Sequence, residues 1–252
     1  MNSNSKVSVL GINFFNGEPQ DVIDILKSGG LLVVPSGPGL GTITKDHQYY
    51  SSLIDADIAI PDSGFMVLLF RLLFNKRIKK ISGWKFLVAF LADEQVKSSE
   101  SLFLINPSEK EGISNLLYLR SIGFTLGQDD LYHAPLYGGE NVIDPMLLSL
   151  IEIKKPRYIL NNIGGGTQEK LGSYLKRNLS YRPAIICTGA AIAFLTGRQA
   201  KMPLWADKLY LGWLIRCVKN PKIFVPRYLK AFGLFWLIVK FGKNRPNEIL
   251  QE

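Results

Sequence analysis

158-YILNNIGGGTQEKLGSYLKR-177 decides the architecture. Residues 158–163 read as a buried strand. The strand runs straight into Gly164-Gly165-Gly166, and 167–177 then has helical spacing. Strand, glycine turn and helix make one βα unit, and the same alternation recurs on both sides of it. Upstream, 102–105 is an apolar strand ended by Asn106-Pro107. It is followed by a helix over 109–120, with Ile113, Leu116, Leu117 and Leu119 on one face and Ser108 as its N-cap. Residues 142–154 repeat the helical pattern, and 184–188 is another strand. Nearer the N-terminus, 31–34 is a strand ending at PSGPGLG, 45–55 is helical and 57–60 is a short strand. Helices follow over 65–75 and 84–92. Strands alternating with helices of this length predict an α/β fold: a Rossmann-like, largely parallel sheet flanked by helices.

Three strand ends carry unusual loops: 35-PSGPGLGTIT-44, 61-PDSG-64 and 164-GGGTQE-169. Ligands of such folds bind beyond the carboxyl ends of the strands, so the three loops define one crevice. In 37-GPGLGT-42 the glycines either let backbone N–H groups approach a phosphate or simply form a tight turn. The segment is neither a P-loop nor a dinucleotide fingerprint, because no Lys-Ser/Thr pair follows at the spacing of the first and the third glycine is out of place for the second. In 164-GGGTQEK-170, Gly166 or Thr167 caps the helix and Glu169 complements its dipole. Gln168 offers an amide donor and acceptor suited to sugar hydroxyls or a base edge. Asp62, at a strand's carboxyl end and facing two glycine-rich loops, is placed for general base work. Pro-Asp-Ser-Gly is equally a natural turn sequence. Asp55-Ala56-Asp57 looks like a metal-binding DxD, but its apolar strand follows it rather than preceding it, so no metal site is assigned. His47 and His133 are isolated.

The chain has 252 residues, 47% hydrophobic and 20% charged, with a mean hydropathy of +0.11 and a net charge of +9. No apolar run is long enough to span a bilayer. The N-terminus lacks the pattern of a secretion signal, which places the protein inside the cell. Two cysteines, Cys187 and Cys217, make no disulfide framework. Residues 197–252 hold eleven Lys and Arg against three acids, a surplus of eight, interleaved with Trp205, Trp213, Phe224, Tyr228, Phe232, Phe235 and Trp236. Basic and aromatic together suit a membrane surface, a diphosphate or a nucleic acid. The strand signal stops there. The expected organisation is therefore an α/β core over 1–196, softly divided near 94–101, and a basic helical C-terminal appendage over 197–252 that associates with membrane.

The ordered motifs resemble the WecG/TagA/CpsF glycosyltransferases (family 26), bacterial enzymes that extend lipid-linked saccharides. Ala56-Asp57 and Pro61-Asp62-Ser63-Gly64 match the family's AD…PDG, and Lys80-Ile81-Ser82-Gly83 its R-x-x-G. Gly164-Gly165-Gly166-Thr167-Gln168-Glu169 matches its G-x-P-x-Q-E. Gly189 to Gly197, then Lys201-Met202-Pro203-Leu204-Trp205, Trp213 with Arg216, and Asn220 to Tyr228 follow its remaining motifs. The chain departs from the family at Pro35-Ser36-Gly37, where Thr-x-Asn is usual, at Lys80 and Ile223 for arginines, and at Gly166 for proline. These changes imply a divergent branch with a different hexose or hexosamine donor.

The resemblance implies an inverting hexosyltransferase with no metal or other cofactor. It would move a sugar from a UDP-sugar to a polyprenyl-diphosphate-linked saccharide in bacterial surface polysaccharide biosynthesis. Asp62 would be the base. Ser36, Gly37, Gly83, Gly164, Thr167, Gln168, Glu169 and Gly189 would hold the donor, and Lys80, Arg216 and Arg227 would meet diphosphate charge. The implied partners are the two substrates, an anionic membrane surface on the cytoplasmic side and a second copy of the chain, with no nucleic acid. A nucleotide-dependent oxidoreductase and a non-catalytic membrane or nucleic-acid binding module are the other two classes.

Overall fold

The computed structural model describes residues 6–99, 101–138, 141–198, 214, 217–218, 221–229 and 231–246; within 221–229 the side chains of Ile223, Phe224 and Arg227 lie outside the description. The described strands, in chain order, are β1 Lys6–Val9, β2 Ile12–Phe15, β3 Gly30–Val33, β4 Ile58–Ala59, β5 Leu102–Asn106, β6 Leu131–His133, β7 Tyr158–Asn161 and β8 Ala184–Cys187. They form one sheet in the order β1-β2-β4-β3-β8-β7-β5-β6. Every pairing is parallel except the β1–β2 hairpin. The helices are α1 Pro19–Leu26, α2 Gly37–Leu40, α3 His47–Asp55, α4 Gly64–Phe74, α5 Gly83–Ala92, α6 Glu94–Ser98, α7 Glu109–Ser121, α8 Pro145–Lys154, α9 Thr167–Asn178, α10 Ala191–Leu195, α11 Pro221–Leu229 and α12 Phe232–Phe241.

Strand alternation splits the core in two. Ile159 of β7, with Leu31, Val33, Phe103 and Ile185, packs under α3, α4, α8, α9 and α12. Tyr158 and Leu160, with Leu32, Leu104 and Ile186, pack under α1, α5, α7 and α10. A sheet buried on both faces needs apolar residues on both, which is why β3, β5, β7 and β8 read as near-continuous apolar runs. The α/β layering expected from the sequence is therefore present. Helix α9 approaches the sheet closely at Gly172: a Cβ there would lie 2.7 Å from Leu31 Cδ1 and 2.9 Å from Cys187 Sγ.

Some boundaries differ from expectation for local reasons. The helix expected from 142 begins at Pro145, because Asp144 caps it by accepting the Leu147 N–H at 2.9 Å. The 37-GPGLGT-42 loop is a single helical turn, capped by Ser36 Oγ, which accepts the Gly39 N–H at 3.2 Å. Helix α1 and strand β6 were not anticipated, nor was the β1–β2 hairpin. The hairpin's two-residue turn has Leu10 at φ 53 and Gly11 at φ 77, the left-handed pair that matches strand twist. Of the C-terminal segment, α12 buries Leu234 and Ile238 in the core beneath it.

Candidate active site

The turn after β4 assigns separate work to two adjacent residues. Ser63 caps α4, its Oγ accepting the Met66 N–H at 3.2 Å. Asp62 reaches instead across to α5, where its Oδ1 accepts the N–H of Gly83, the first helical residue, at 2.9 Å. Among the described residues the other oxygen, Oδ2, takes no hydrogen bond. The Ile81 N–H donates to the Pro61 carbonyl at 3.2 Å, which draws Lys80 and Gly83 against this turn. A carboxylate at a helix N-terminus is held by the positive end of the dipole. The loop after β3 completes this half of the crevice. A Cβ on Gly37 would lie 2.8 Å from Ser63 Oγ, and one on Gly83 would lie 3.0 Å from Val34 Cγ1. Ser36, Gly37, Asp62, Lys80 and Gly83 are thus brought together.

The second half lies where β7 and β8 end. Gly164 is exposed, and its carbonyl accepts the Gln168 N–H at 3.0 Å. Gly166, at φ 92, is the N-cap of α9, and Thr167 opens the helix half-buried. Glu169 Oε2 accepts the Gly166 N–H at 2.6 Å, and its Oε1 accepts from Gln168 Nε2 at 2.9 Å. Glu169 is buried, and loss of solvation pushes its pKa up to about 7 against the pull of those two donors. Its charge in turn helps burial to raise the Tyr49 hydroxyl of α3 well above its ordinary value. With Nε2 committed to Glu169, the buried Gln168 Oε1 has no partner among the described residues. Gly189, at φ 57, closes on this amide: a Cβ there would lie 3.3 Å from Nε2 and 3.4 Å from Oε1. Gly164, Thr167, Gln168, Glu169 and Gly189 are therefore also brought together, with Glu169 behind Gln168 rather than at the surface.

Sequence reasoning missed a polar row between the halves. Ile105, Asn161, Cys187, Val33 and Ala59 are in register across β5, β7, β8, β3 and β4. One residue further along each strand come Asn106, Asn162, Thr188, Val34 and Ile60. Asn106 Oδ1 accepts from Asn115 Nδ2 at 2.8 Å and from Asn162 Nδ2 at 3.3 Å. Among the described residues the buried Asn162 Oδ1 and Thr188 Oγ1 have no partner. Buried polar atoms left unpaired cost free energy, and Asn162 and Thr188 lie next to each other on one rung at the carboxyl ends of the strands. The available signal was an asparagine closing an apolar run, in 102-LFLIN-106 and 158-YILNN-162.

The Asp55-Ala56-Asp57 segment lies at the opposite rim, before β4. Asp55 Oδ2 accepts from Ser173 Oγ at 2.7 Å and from Arg177 Nε at 3.2 Å. Asp57 accepts the Leu31 N–H at 2.8 Å and pairs with Lys176 at 3.1 Å and Arg182 at 2.9 Å. Burial raises the Asp57 pKa, but the Leu31 N–H and the two cations outweigh it and hold the carboxyl below its usual value. These acids tie α3 and α9 to the sheet. Arg216 and the 201–205 motif lie outside the described residues; Arg227 belongs to α11, its side chain outside the description.

A doubly covered parallel sheet, with a carboxylate, glycine-rich loops and polar side chains at its carboxyl rim, defines an α/β protein of the kind that binds ligands beyond the carboxyl ends of its strands. A model of the glycosyl transferase WecG/TagA/CpsF family matches residues 7–248, and the chain belongs to that family. It is a glycosyltransferase of polysaccharide biosynthesis on that ground. No curated protein matches the chain closely.

Proposed function

We propose that the protein transfers a hexose or hexosamine, with inversion, from a UDP-sugar to a polyprenyl-diphosphate-linked saccharide at the cytoplasmic face of the membrane. The single observation that carries the mechanism is the anchoring of Asp62. One oxygen is fixed on the first N–H of α5, and among the described residues the other takes no hydrogen bond. An acceptor hydroxyl gives its proton to Asp62 as its oxygen bonds to the anomeric carbon. The bond from that carbon to the diphosphate breaks, and UDP leaves with the electron pair. Lys80, Arg216 and Arg227 meet the charge that develops on the leaving diphosphate.

The two halves of the crevice support different parts of the donor. The Asn162 Oδ1 and Gln168 Oε1 carbonyl oxygens, unpaired among the described residues, suit N–H and O–H donors rather than phosphate oxygens, and the Thr188 hydroxyl can donate as well as accept. The sugar belongs beside Asp62, Ser36 and Gly37. From β4 to β7 the rung spans three strand spacings, roughly 14 Å, which leaves room for a diphosphate between sugar and nucleoside. Membrane contact is the role of the basic C-terminal segment. None of the described helices is long and apolar enough to cross a membrane.

Radiolabelled transfer from a panel of UDP-sugars to a lipid-diphosphate acceptor tests the reading. One donor is expected to support transfer by the wild type, and Asp62→Asn is expected to lower it by about 10²- to 10⁴-fold with UDP still bound. Equal turnover by both proteins would sink the assignment of Asp62.

A further inference from the structure

We propose that the outer face of the α4–α12 pair is a docking surface for an anionic phospholipid bilayer, with a basic pocket beside α4 holding a lipid phosphate. The proposal rests on the reading that the acceptor is lipid-linked, and it assigns the contact to a helix of the core as well as to the C-terminal segment.

The two helices lie side by side and run the same way. At one end the rings of Phe65 and Phe232 meet edge to face, with centroids 6.2 Å apart. At the other end the Phe74 ring lies 3.0 Å from where a Cβ on Gly242 would be. Their inner residues are buried in the core, and their outer ones are apolar and exposed. Leu68 and Leu72 mark α4, and Phe232, Trp236 and Val239 mark α12, at helical i, i+4 and i+7 spacing. Leu72 is 79% exposed and Trp236 70%. Large apolar side chains this open on two adjacent helices form an interaction surface.

Charge identifies the partner. Residues 64–81 and 231–246 carry eight Lys and Arg and no Asp or Glu. A second copy of the chain would set eight cations against eight, whereas an anionic leaflet is complementary. At the far end of the pair, Lys76 crowds Lys243. Hydrogen bonding from Lys76, and then its charge, hold the Lys243 pKa below the usual lysine value. Beside α4 a cavity of about 490 Å³ has Val67, Leu68 and Ile78 in its wall and Arg71, Arg77, Lys79 and one acid, Glu18, on its lining. Lys79 is paired with Glu18, which neutralises that acid, and neither guanidinium group has a hydrogen bond or ion pair with the described residues. Guanidinium groups over an apolar wall suit a phosphate diester with its acyl chains alongside.

The near end of the pair is the candidate active site. Ser63 caps α4 directly after Asp62, and Ala231, which leads into α12, lies 3.9 Å from where a Cβ on Gly37 would be. A bilayer along α4, roughly 16 Å from end to end, would present a lipid-linked diphosphate at the mouth of the crevice.

Sedimentation of the full chain with vesicles tests the proposal. One set of vesicles mixes phosphatidylglycerol with phosphatidylcholine; the other is phosphatidylcholine alone. The wild type is expected to pellet with the first and stay in solution with the second. Leu72→Glu with Trp236→Glu is expected to weaken the partition by roughly tenfold or more. Arg71→Ala with Arg77→Ala is expected to weaken it about thirtyfold. Both variants are expected to bind UDP as the wild type does. Unchanged pelleting of the Glu variant would overturn the surface. A wild-type dimer that the Glu variant dissolves would also overturn it, in favour of self-association. Inorganic phosphate bound through Arg71 and Arg77, with vesicle partition indifferent to them, would overturn the pocket as a lipid site. Loss of vesicle partition with transfer insensitive to Asp62→Asn would instead sink the catalytic reading and leave the surface standing.

Discussion

Asp62 and Ser63 show how far one turn can be read. Pro-Asp-Ser-Gly is legible as a turn from composition, because each residue has a local reason to be there. The sequence could not say which of the two polar side chains does the capping. Ser63 does it, which leaves Asp62 to bond 21 residues ahead in the chain. Glu169 was legible as a first-turn acid, but its burial beneath Tyr49 depends on how α3 packs on α9. Its pKa, raised from 4.5 to about 7, means that the folded state binds more protons than the unfolded one between those values. The contribution of Glu169 to stability is therefore full below pH 4.5 and is lost as pH rises through 7, by on the order of 3 kcal/mol. Thermal melts across that window are expected to show the decline in the wild type and a flatter profile in Glu169→Gln. Thr188→Val tests the unpaired hydroxyl. Removing it is expected to leave the melting temperature unchanged or higher while weakening donor binding, seen as a raised KM. A fall in stability with KM unchanged would make Thr188 structural.

At the scale of elements, the βα units were legible because near-continuous apolar strands alternate with segments of helical spacing. The cap at Ser108 is as expected, its Oγ accepting the Glu111 N–H at 3.3 Å. The β1–β2 hairpin was not legible, because its turn puts a leucine, not asparagine or aspartate, at the first left-handed position. That leucine is kept there by tertiary contacts. Its carbonyl accepts from Tyr50 Oη at 2.8 Å, and its N–H donates to the Gly242 carbonyl at 2.9 Å. Helix α12 meets α2 just as closely. A Cβ on Gly233 would lie 2.7 Å from the Gly41 carbonyl oxygen, which is backbone and cannot rotate away. Glycine to alanine inside a helix usually stabilises by about 1 kcal/mol. At Gly233 the clash reverses the sign, and Gly233→Ala is expected to cost about 1–3 kcal/mol in denaturant unfolding. A stabilised variant would mean that α12 does not press on the loop that carries Ser36 and Gly37.

At the scale of the whole molecule, composition located the basic surplus but not its partners inside the fold. The charge pattern of 197–252 reads as an appendage because its strand signal has stopped, yet periodicity alone cannot say which apolar residues turn inward. Leu234 and Ile238 do, and the hairpin tip hangs on the residues just after α12. Truncation after residue 230 removes both side chains from the core, each worth about 1.5–3 kcal/mol when buried. The truncated chain is expected to unfold at markedly lower denaturant concentration than the full chain. Equal midpoints would show that the core stands without α12. The contacts that α12 closes join Leu10 and Gly11 to Gly242 and Lys243, across nearly the whole chain. On a ribosome this has a consequence in time. The hairpin tip, the β3 loop and the inner side of α4 all wait for a helix that is made after every described strand of the sheet. The turn that carries Asp62 is flanked only once Phe232–Phe241 has emerged, so a nascent chain stalled before residue 231 carries Asp62 without that helix.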